Sequence, residues 1–430
     1  MNDAMLNIAV IGAGPVGLAL ALHAARALPA SNVTLFDARP AERDVSGDPR
    51  TLALSLGSVQ ILQRLGAWRA DSAQPILEVH VSQQPPSSLP SLPFLPAFIG
   101  DRLGEPELRI RAIDEAVPML GAVLSYGAIV APLQQAWMAA EAAEPKRLRS
   151  RFGTLVAALK NLQGGHGTSG GIDGGTGIGI GTGIGASTGV EVDAGIAERF
   201  DLAVVAEGGV FAEQARKAIT HDYAQTAWVG KVTFEGGLAS RANGVAYERF
   251  TRHGPAALLP LKEGGAGLVW CVPSDDDPVA ELNDAQRVTV LNSIFHAAVG
   301  RIESVSALKR FPLGLNAERT LTDGRSVRIG NAAQTLHPVA GQGLNLGLRD
   351  AFELVQALSR NADVGAVLRQ LEWQRGPDRW AMIAATDFLA RSFTWKLPGA
   401  GAARGLGLAA LQALAPLRSA LARQMMFGRR

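Results

Sequence analysis

Residues 7–17, Asn-Ile-Ala-Val-Ile-Gly-Ala-Gly-Pro-Val-Gly, decide the fold of this chain. The run 7–11 is short and apolar, which is typical of a buried parallel strand. It ends at a glycine turn, and the Ala- and Leu-rich residues 15–28 that follow predict a helix. A second apolar run, 32–36, ends at Asp37. The chain therefore opens with a predicted βαβ unit, which indicates an α/β protein with a parallel sheet.

The turn between the first strand and the helix has glycines in the spacing Gly-x-Gly-x-x-Gly. Gly12 would permit the tight turn, Gly14 would let a pyrophosphate approach the backbone, and Gly17 would let the helix pack on the strand. The helix N-terminus would stabilise the phosphates, and Asp37 would accept hydrogen bonds from a ribose. This motif predicts a dinucleotide cofactor, but it does not distinguish NAD from FAD.

A second cluster lies about 300 residues further on, at 328–350. It predicts a strand over 326–330, then a Pro- and Gly-rich loop, then a helix over about 344–360. A protein that binds only NAD has no evident need of such a second turn. FAD has two ends, so that one turn would hold its ADP half and the other its flavin. The two turns together favour FAD.

Composition excludes several other classes of protein. The 430 residues are 47% hydrophobic and carry a formal charge of +2, which excludes a disordered chain and whole-surface attraction to nucleic acid. The single cysteine, Cys271, lies in an apolar run that predicts a buried strand, and it cannot form an internal disulfide. We expect no bound metal, no signal peptide and no transmembrane helix. We also expect the protein to lie in the cytoplasm, either free or attached peripherally to the inner membrane.

The sequence also predicts how the domains are arranged. A glycine-rich stretch, 164–189, predicts a flexible surface insertion, and the tail 363–430 predicts a mostly helical region interrupted near Pro398 and Pro416. The predicted parts are an FAD-binding domain at 1–75, 121–210 and 316–362, a substrate domain at 76–120 and 211–315, and a C-terminal helical region at 363–430.

Several segments resemble one family. Residues 328–350 resemble the C-terminal flavin motif of aromatic-ring hydroxylases with the p-hydroxybenzoate hydroxylase fold, and 48–55 resemble the segment of those enzymes that follows the second strand. Residues 247–255, 259–261 and 268–271 resemble substrate-domain strands of the ubiquinone-biosynthesis FAD monooxygenases, in the 2-polyprenyl-6-methoxyphenol hydroxylase branch. The resemblance implies a Rossmann-like FAD-binding domain, an inserted β-sheet substrate domain and a helical C-terminal tail.

The resemblance also assigns roles to particular residues. It implies that Arg50 holds the ADP half of FAD together with the first glycine turn and Asp37, and that Asn331 bonds the ribityl hydroxyls. Residues implied to lie against the isoalloxazine ring are Gly341, Gln342, Gly343 and Asn345.

The implied reaction is hydroxylation of a polyprenylated phenol in ubiquinone biosynthesis. NAD(P)H would reduce the FAD, which would react with O2 to give a hydroperoxide that transfers oxygen to the ring. The catalytic residue is not identified, and His221, His253 and His296 are candidates by residue type alone. A flavin reductase or dehydrogenase, and a weakly active flavoprotein scaffold of a quinone-biosynthesis complex, are the alternatives. The apolar, basic tail is interpreted as a helical cap or as a contact with a membrane surface or partner.

Overall fold

The computed structural model describes residues 5–48, 50–84, 106–163, 187–206, 219–236, 243–295, 299–336, 342–394 and 400–428. Its helices are α1 (Pro15–Ala27), α2 (Leu56–Arg64), α3 (Tyr126–Ala143), α4 (Asp284–Ile294), α5 (Gln342–Arg360), α6 (Val364–Thr394), α7 (Ala400–Ala413) and α8 (Ala415–Phe427). The strands of the first half are β1 (Leu6–Ile11), β2 (Ser31–Asp37), β3 (Thr51–Ser55), β4 (Gln74–Ile76), β5 (Glu78–Gln83), β6 (Glu107–Arg111), β7 (Gly121–Ser125), β8 (Leu148–Phe152), β9 (Ala158–Gln163), β10 (Ser187–Asp193), β11 (Ala197–Phe200) and β12 (Leu202–Val205). Those of the second half are β13 (Ile219–Phe234), β14 (Val245–Phe250), β15 (Pro255–Pro260), β16 (Ala266–Pro273), β17 (Ile302–Val305), β18 (Lys309–Ala317), β19 (Thr322–Asp323), β20 (Ser326–Arg328) and β21 (Gln334–Thr335).

A six-stranded sheet in the order β19-β20-β12-β1-β2-β8 forms the first layer. All its pairs are parallel except β19–β20, and β1 lies between β2 and β12. The central strands are buried on both faces: Ile8 and Val10 pack in one apolar core with α1, α3 and α5, and Ala9 and Ile11 pack in another with Val190 of β10. The opening βαβ unit is thus confirmed, and the α/β fold class with it.

A nine-stranded sheet forms the second layer, in the order β21-β18-β13-β16-β15-β14-β5-β6 with β17 paired to β13. Most of its pairs are antiparallel, but β14 and β5 run parallel. One face packs against α4 in an apolar core of its own, which contains Trp270, Leu291 and Ile294. The remaining strands form two three-stranded sheets, in the orders β11-β10-β9 and β3-β7-β4. The division of the chain into two domains stays a prediction.

Two predicted elements have different bounds in the structure. The sequence of residues 131–143 predicts a helix, and in the structure this helix, α3, begins earlier, at Tyr126, because Ser125 caps it by accepting a hydrogen bond from the Ala128 N–H. Glycine has a low helix propensity, so Gly127 gives no sequence signal that a helix begins here. The structure needs glycine at this position because a Cβ would lie 2.1 Å from the Ser46 carbonyl oxygen. The glycine-rich insertion lies mostly outside the described residues, and its last three positions, 187–189, belong to β10.

The C-terminal helices pack on the body of the protein. Leu408 of α7 and Met426 of α8 are buried in a core that also contains Leu108 of β6 and Leu56 of α2. The break before α8 falls at Leu414, as expected near Pro416, whereas Pro398 lies outside the described residues. Within the described part of the chain, no single helix is long and apolar enough to cross a membrane. Residues 405–413 and α8 together have the length and composition of a membrane span, but the two helices are bent by 101° relative to each other.

Candidate active site

One cavity of about 1230 Å³ extends from the first glycine turn to the second sheet. The glycine turn after β1 and the loop after β2 line one end of it. The strands β14, β15 and β16 line the other end, and the second turn, at Gly330 and Asn331, lies in its wall. This volume exceeds the roughly 300–1,000 Å³ of ordinary small-molecule pockets, and it is large enough for two ligands that lie side by side.

The glycine turn has the geometry that the sequence predicts. Gly12 has φ +103°, and its N–H donates to the Phe36 carbonyl oxygen at 2.7 Å. A Cβ on Gly17 would lie 1.9 Å from the Gly12 carbonyl oxygen, so that helix and strand meet only because position 17 has no side chain. A Cβ on Gly14 would meet nothing closer than the Tyr126 hydroxyl, at 3.8 Å, and this open space beside the backbone is a cradle for a pyrophosphate.

The N-terminus of α1 is suited to an anion. Pro15 occupies its first turn, which contains no acidic side chain and no side-chain cap. The partial positive charge of this helix end therefore has no negative side chain of its own to oppose it. The residues present fit the phosphates of FAD.

Asp37 lies on the cavity wall at the end of β2. Its Oδ2 accepts a hydrogen bond from the Ala13 N–H at 2.5 Å, and its Oδ1 accepts one from the Arg39 N–H at 2.7 Å. The carboxylate thus fixes the glycine turn relative to β2. Its role toward a ribose stays a prediction.

Arg50 lies opposite Gly14, together with a tyrosine that sequence analysis did not single out. The Arg50 guanidinium carbon lies 4.1 Å from the centre of the Tyr126 ring, and its Nη2 donates to Asp48 Oδ2 at 2.8 Å. The Arg50 hydrogen bond holds the pKa of the Asp48 carboxyl below its usual value. The structure therefore brings Arg50 to the predicted end of the cavity and adds Tyr126 there.

The second turn packs directly against the first. A Cβ on Gly347 of α5 would lie 2.7 Å from the Val16 side chain and 2.8 Å from the Gly330 Cα. Asn331 and Gly343 both line the cavity, and a Cβ on Gly343 would lie 3.8 Å from Asn331 Oδ1. Gly341 lies outside the described residues.

The Asn345 side chain joins two helices, and its predicted place against the flavin ring stays a prediction. Its Oδ1 accepts hydrogen bonds from the Ser55 N–H at 2.8 Å and the Ser58 hydroxyl at 2.7 Å, and its amide group donates to the Ala53 carbonyl oxygen at 3.1 Å. Asn345 is 2% exposed, so that this amide fastens α5 to the start of α2. Gln342 is also buried, and neither residue belongs to the described lining of the cavity, whereas their neighbour Gly343 does.

The floor of the cavity in the second sheet is mostly apolar around one carboxyl group. Val79, Ala257, Leu259 and Val269 line it, and Glu248 stands among them. Neither His221 nor His253 belongs to the described lining, and His296 lies outside the described residues. Sequence analysis did not single out Glu248, which lies on the same face of β14 as the buried Ala246 and Phe250.

Comparisons with known proteins agree with this geometry. The family described as FAD binding domain matches residues 206–381. Ubiquinone hydroxylase UbiL of Rhodospirillum rubrum is 36% identical over 214 residues, 48% of this chain and 49% of that protein. The 3-demethoxyubiquinol 3-hydroxylase of Escherichia coli is 28% identical over 429 residues, 96% of both chains. The chain thus spans about half the length of the first curated relatives it matches and nearly all of the E. coli one.

Solved structures share the fold. Klebsiella pneumoniae HpxO, in a crystal structure with FAD and uric acid, superposes with a TM-score of 0.65 at 15% identity, covering 100% of this chain and 99% of that one. Fold and site together define an FAD-binding flavoprotein. By sequence the chain is similar to proteins named as hydroxylases of ubiquinone biosynthesis and, over residues 206–381, to the FAD binding domain family.

Proposed function

We propose that this protein hydroxylates the aromatic ring of a polyprenylated phenol in ubiquinone biosynthesis, with NAD(P)H as reductant. The observation that carries the proposal is one continuous cavity that joins a dinucleotide turn to the apolar floor of a second sheet. A ring on that floor would lie beside the second turn, where the flavin is expected. The relatives named as a ubiquinone hydroxylase and a demethoxyubiquinol hydroxylase support the same substrate class.

The chain's own residues would bind, orient and shield the reactants. The first glycine turn, Arg50 and Tyr126 would hold the ADP half of FAD, and Asn331 and Gly343 would hold the end nearer the flavin. Apolar side chains of β14, β15 and β16 would hold the phenol and exclude water. Bound FAD would supply the transfer of two electrons from NAD(P)H and the activation of O2, of which one oxygen atom goes to the ring and the other to water.

An assay of the purified protein tests this function against its alternatives. We expect a yellow protein whose NAD(P)H oxidation requires a phenol, consumes O2 and yields a product heavier by one oxygen atom. Reduction of another acceptor without O2 would support a reductase instead, and bound flavin without turnover would support a scaffold. The quinone intermediate that accumulates in a strain lacking the gene would identify the ring position.

We also propose that the outer sides of the C-terminal helices contact a membrane surface. Leu406, Leu414 and Leu417 are 72%, 53% and 50% exposed, although the inner sides of the same helices pack on the body. Arg423 of α8 is exposed as well, although it pairs with Glu115 at 3.8 Å, and its charge would favour anionic lipid. Exposed leucines beside a cation are typical of a helix lying in the interface of a bilayer.

Replacing Leu406, Leu414 and Leu417 together by serine tests the membrane contact without removing the packed sides of the helices. We expect the variant to sediment less with vesicles of phosphatidylglycerol and phosphatidylethanolamine, at unchanged flavin content. Leu155→Ser, at a leucine that is 48% exposed on another part of the surface, is the control. Equal sedimentation of wild type and triple variant would discard the contact.

A further inference from the structure

Glu248 is a carboxyl group on the apolar floor of the cavity. In the sheet it pairs with Ala257 of β15 on one side and with Val81 of β5 on the other. Side chains of paired residues project from the same face, so that both cross-strand neighbours of Glu248 are apolar. A ligand on this floor would therefore lie beside the carboxyl group of Glu248.

The carboxyl has no hydrogen bond or ion pair within the described part of the chain, and it keeps some accessible surface because it borders the cavity. Its neighbours along β14 turn away from it. The Tyr247 ring contacts the His80 ring edge to face, with ring centroids 5.6 Å apart. Arg249 donates a hydrogen bond to the Ile294 carbonyl oxygen at 3.1 Å. A carboxyl without a partner is costly to bury, and no contact among the described residues offsets that cost.

The charged and titratable groups around the cavity do not neutralise Glu248. Cys271 of β16 and Lys309 of β18 lie on the same face of the sheet. The other ionisable residues of the lining are Asp37, Arg39, Arg43, Asp44, Asp48, Arg50, Tyr126 and Tyr247. The lining side chains of β5, β15 and α8 are not ionisable, as with Val79, Ala257 and Met425. Burial raises the pKa of the Glu248 carboxyl to about 7. The pKa of the Cys271 thiol is also raised, mainly by burial and to a smaller extent by the negative charge of Glu248.

We propose that Glu248 is the catalytic residue that accepts the phenolic proton of the substrate during hydroxylation, an assignment that rests on the proposed function. The O–H bond of the phenol breaks, its proton forms a bond with the carboxylate, and the oxygen lone pair raises the electron density of the ring. The ring carbon then gains an oxygen atom that comes from O2. When that carbon loses its hydrogen as a proton, Glu248 returns a proton to the phenolic oxygen and is again a carboxylate.

The proton acceptor can be tested without turnover by binding 4-nitrophenol, whose ionised form is coloured. Two negative charges in contact disfavour each other, so that a phenol beside Glu248 ionises at higher pH than in water. We expect the bound probe to ionise at higher pH in the wild type than in Glu248→Gln, which keeps the shape of the side chain and loses its charge. The same titration curve in both proteins would overturn the proposal, and so would failure of the wild type to bind the probe.

Turnover gives a second measurement. We expect kcat of the wild type to rise with pH through about 7 and then level off, because the carboxylate is the active form. Glu248→Gln should lose this rise and have a kcat lower by about 100-fold at high pH, with flavin content unchanged. Glu303→Gln, the same substitution at an exposed position of β17, is the control and should keep the wild-type profile. An unchanged profile in Glu248→Gln would overturn the proposal.

The two measurements separate this proposal from the proposed function. If the wild type hydroxylates no phenol but Glu248→Gln still shifts the ionisation of the bound probe, the function fails and the contact between Glu248 and a phenol stands. If the wild type is a hydroxylase and the variant has the same probe titration and the same pH profile, the function stands and the role of Glu248 fails.

Discussion

Gly17→Ala is expected to abolish retention of FAD and to lower the free energy of unfolding by about 3 kcal/mol. The added methyl group would lie 1.9 Å from the Gly12 carbonyl oxygen and 3.3 Å from the Ala206 Cβ. Neither is the end of a flexible side chain, so that α1 must move away from β1 and the turn between them must open. Flavin absorbance per chain after purification, together with thermal unfolding, measures both effects.

Gly14→Ala separates the cofactor from the fold. Its methyl group would meet no atom closer than 3.8 Å, so we expect a stability near that of the wild type. The same methyl group would fill the space left for a pyrophosphate, and FAD should therefore dissociate more easily. Gly376→Ala, where a Cβ meets nothing within 4 Å, is the control and should retain FAD fully. Full flavin content in Gly17→Ala would contradict the assignment of this turn.

Arg375→Ala is expected to lower the free energy of unfolding by about 4 kcal/mol. The Arg375 side chain is 4% exposed, and it donates to Asp350 at 2.7 Å and contacts Asp378 at 2.9 Å. Both carboxylates are almost fully buried, and removal of the arginine leaves them short of a compensating charge. Denaturant unfolding of the two proteins at neutral pH measures the difference.

This buried cluster links three helices. Asp378 of α6 also accepts hydrogen bonds from Arg349 of α5, at 2.9 Å, and from Gln424 of α8, at 2.6 Å. Arg375→Ala should therefore loosen α8, whose Met425 borders the cavity. Arg391→Ala breaks an exposed pair with Asp387 in the same helix α6 and should cost below about 1 kcal/mol. Similar losses in the two variants would show that burial does not govern the effect.

Much of the candidate site could be predicted from the sequence because its geometry depends on the backbone. Gly12, Gly14 and Gly17 follow a strand and open a helix, and only residues without a side chain permit those contacts. Asn331 and Gly343 were placed through a resemblance to a family, and both line the cavity. The side chain of Asn345 faces α2 rather than the cavity, because a helix turns by 100° per residue, and its predicted place against the flavin ring stays a prediction.

The residues that were missed come from distant parts of the chain. Tyr126 meets Arg50 only because β3 and β7 pair antiparallel, with Thr51 opposite Ser125. Glu248 has an ordinary carboxyl in the sequence, and its raised pKa results from apolar neighbours on β5 and β15. Arg375 and Asp378 share one helix, but their partner Asp350 lies on another. Such contacts between strands and helices leave no local pattern.

The sequence by itself determined the βαβ opening, the α/β class and the two turns that flank the cofactor cavity, because strand alternation, helix periodicity and glycine geometry act over a few neighbouring residues. Tertiary structure alone decided that a carboxyl on the second sheet faces the same cavity as those turns, and that Asn345 fastens α5 to α2. Burial and electrostatic environment depend on residues far apart in the chain, and they are set only when the two sheets pack together.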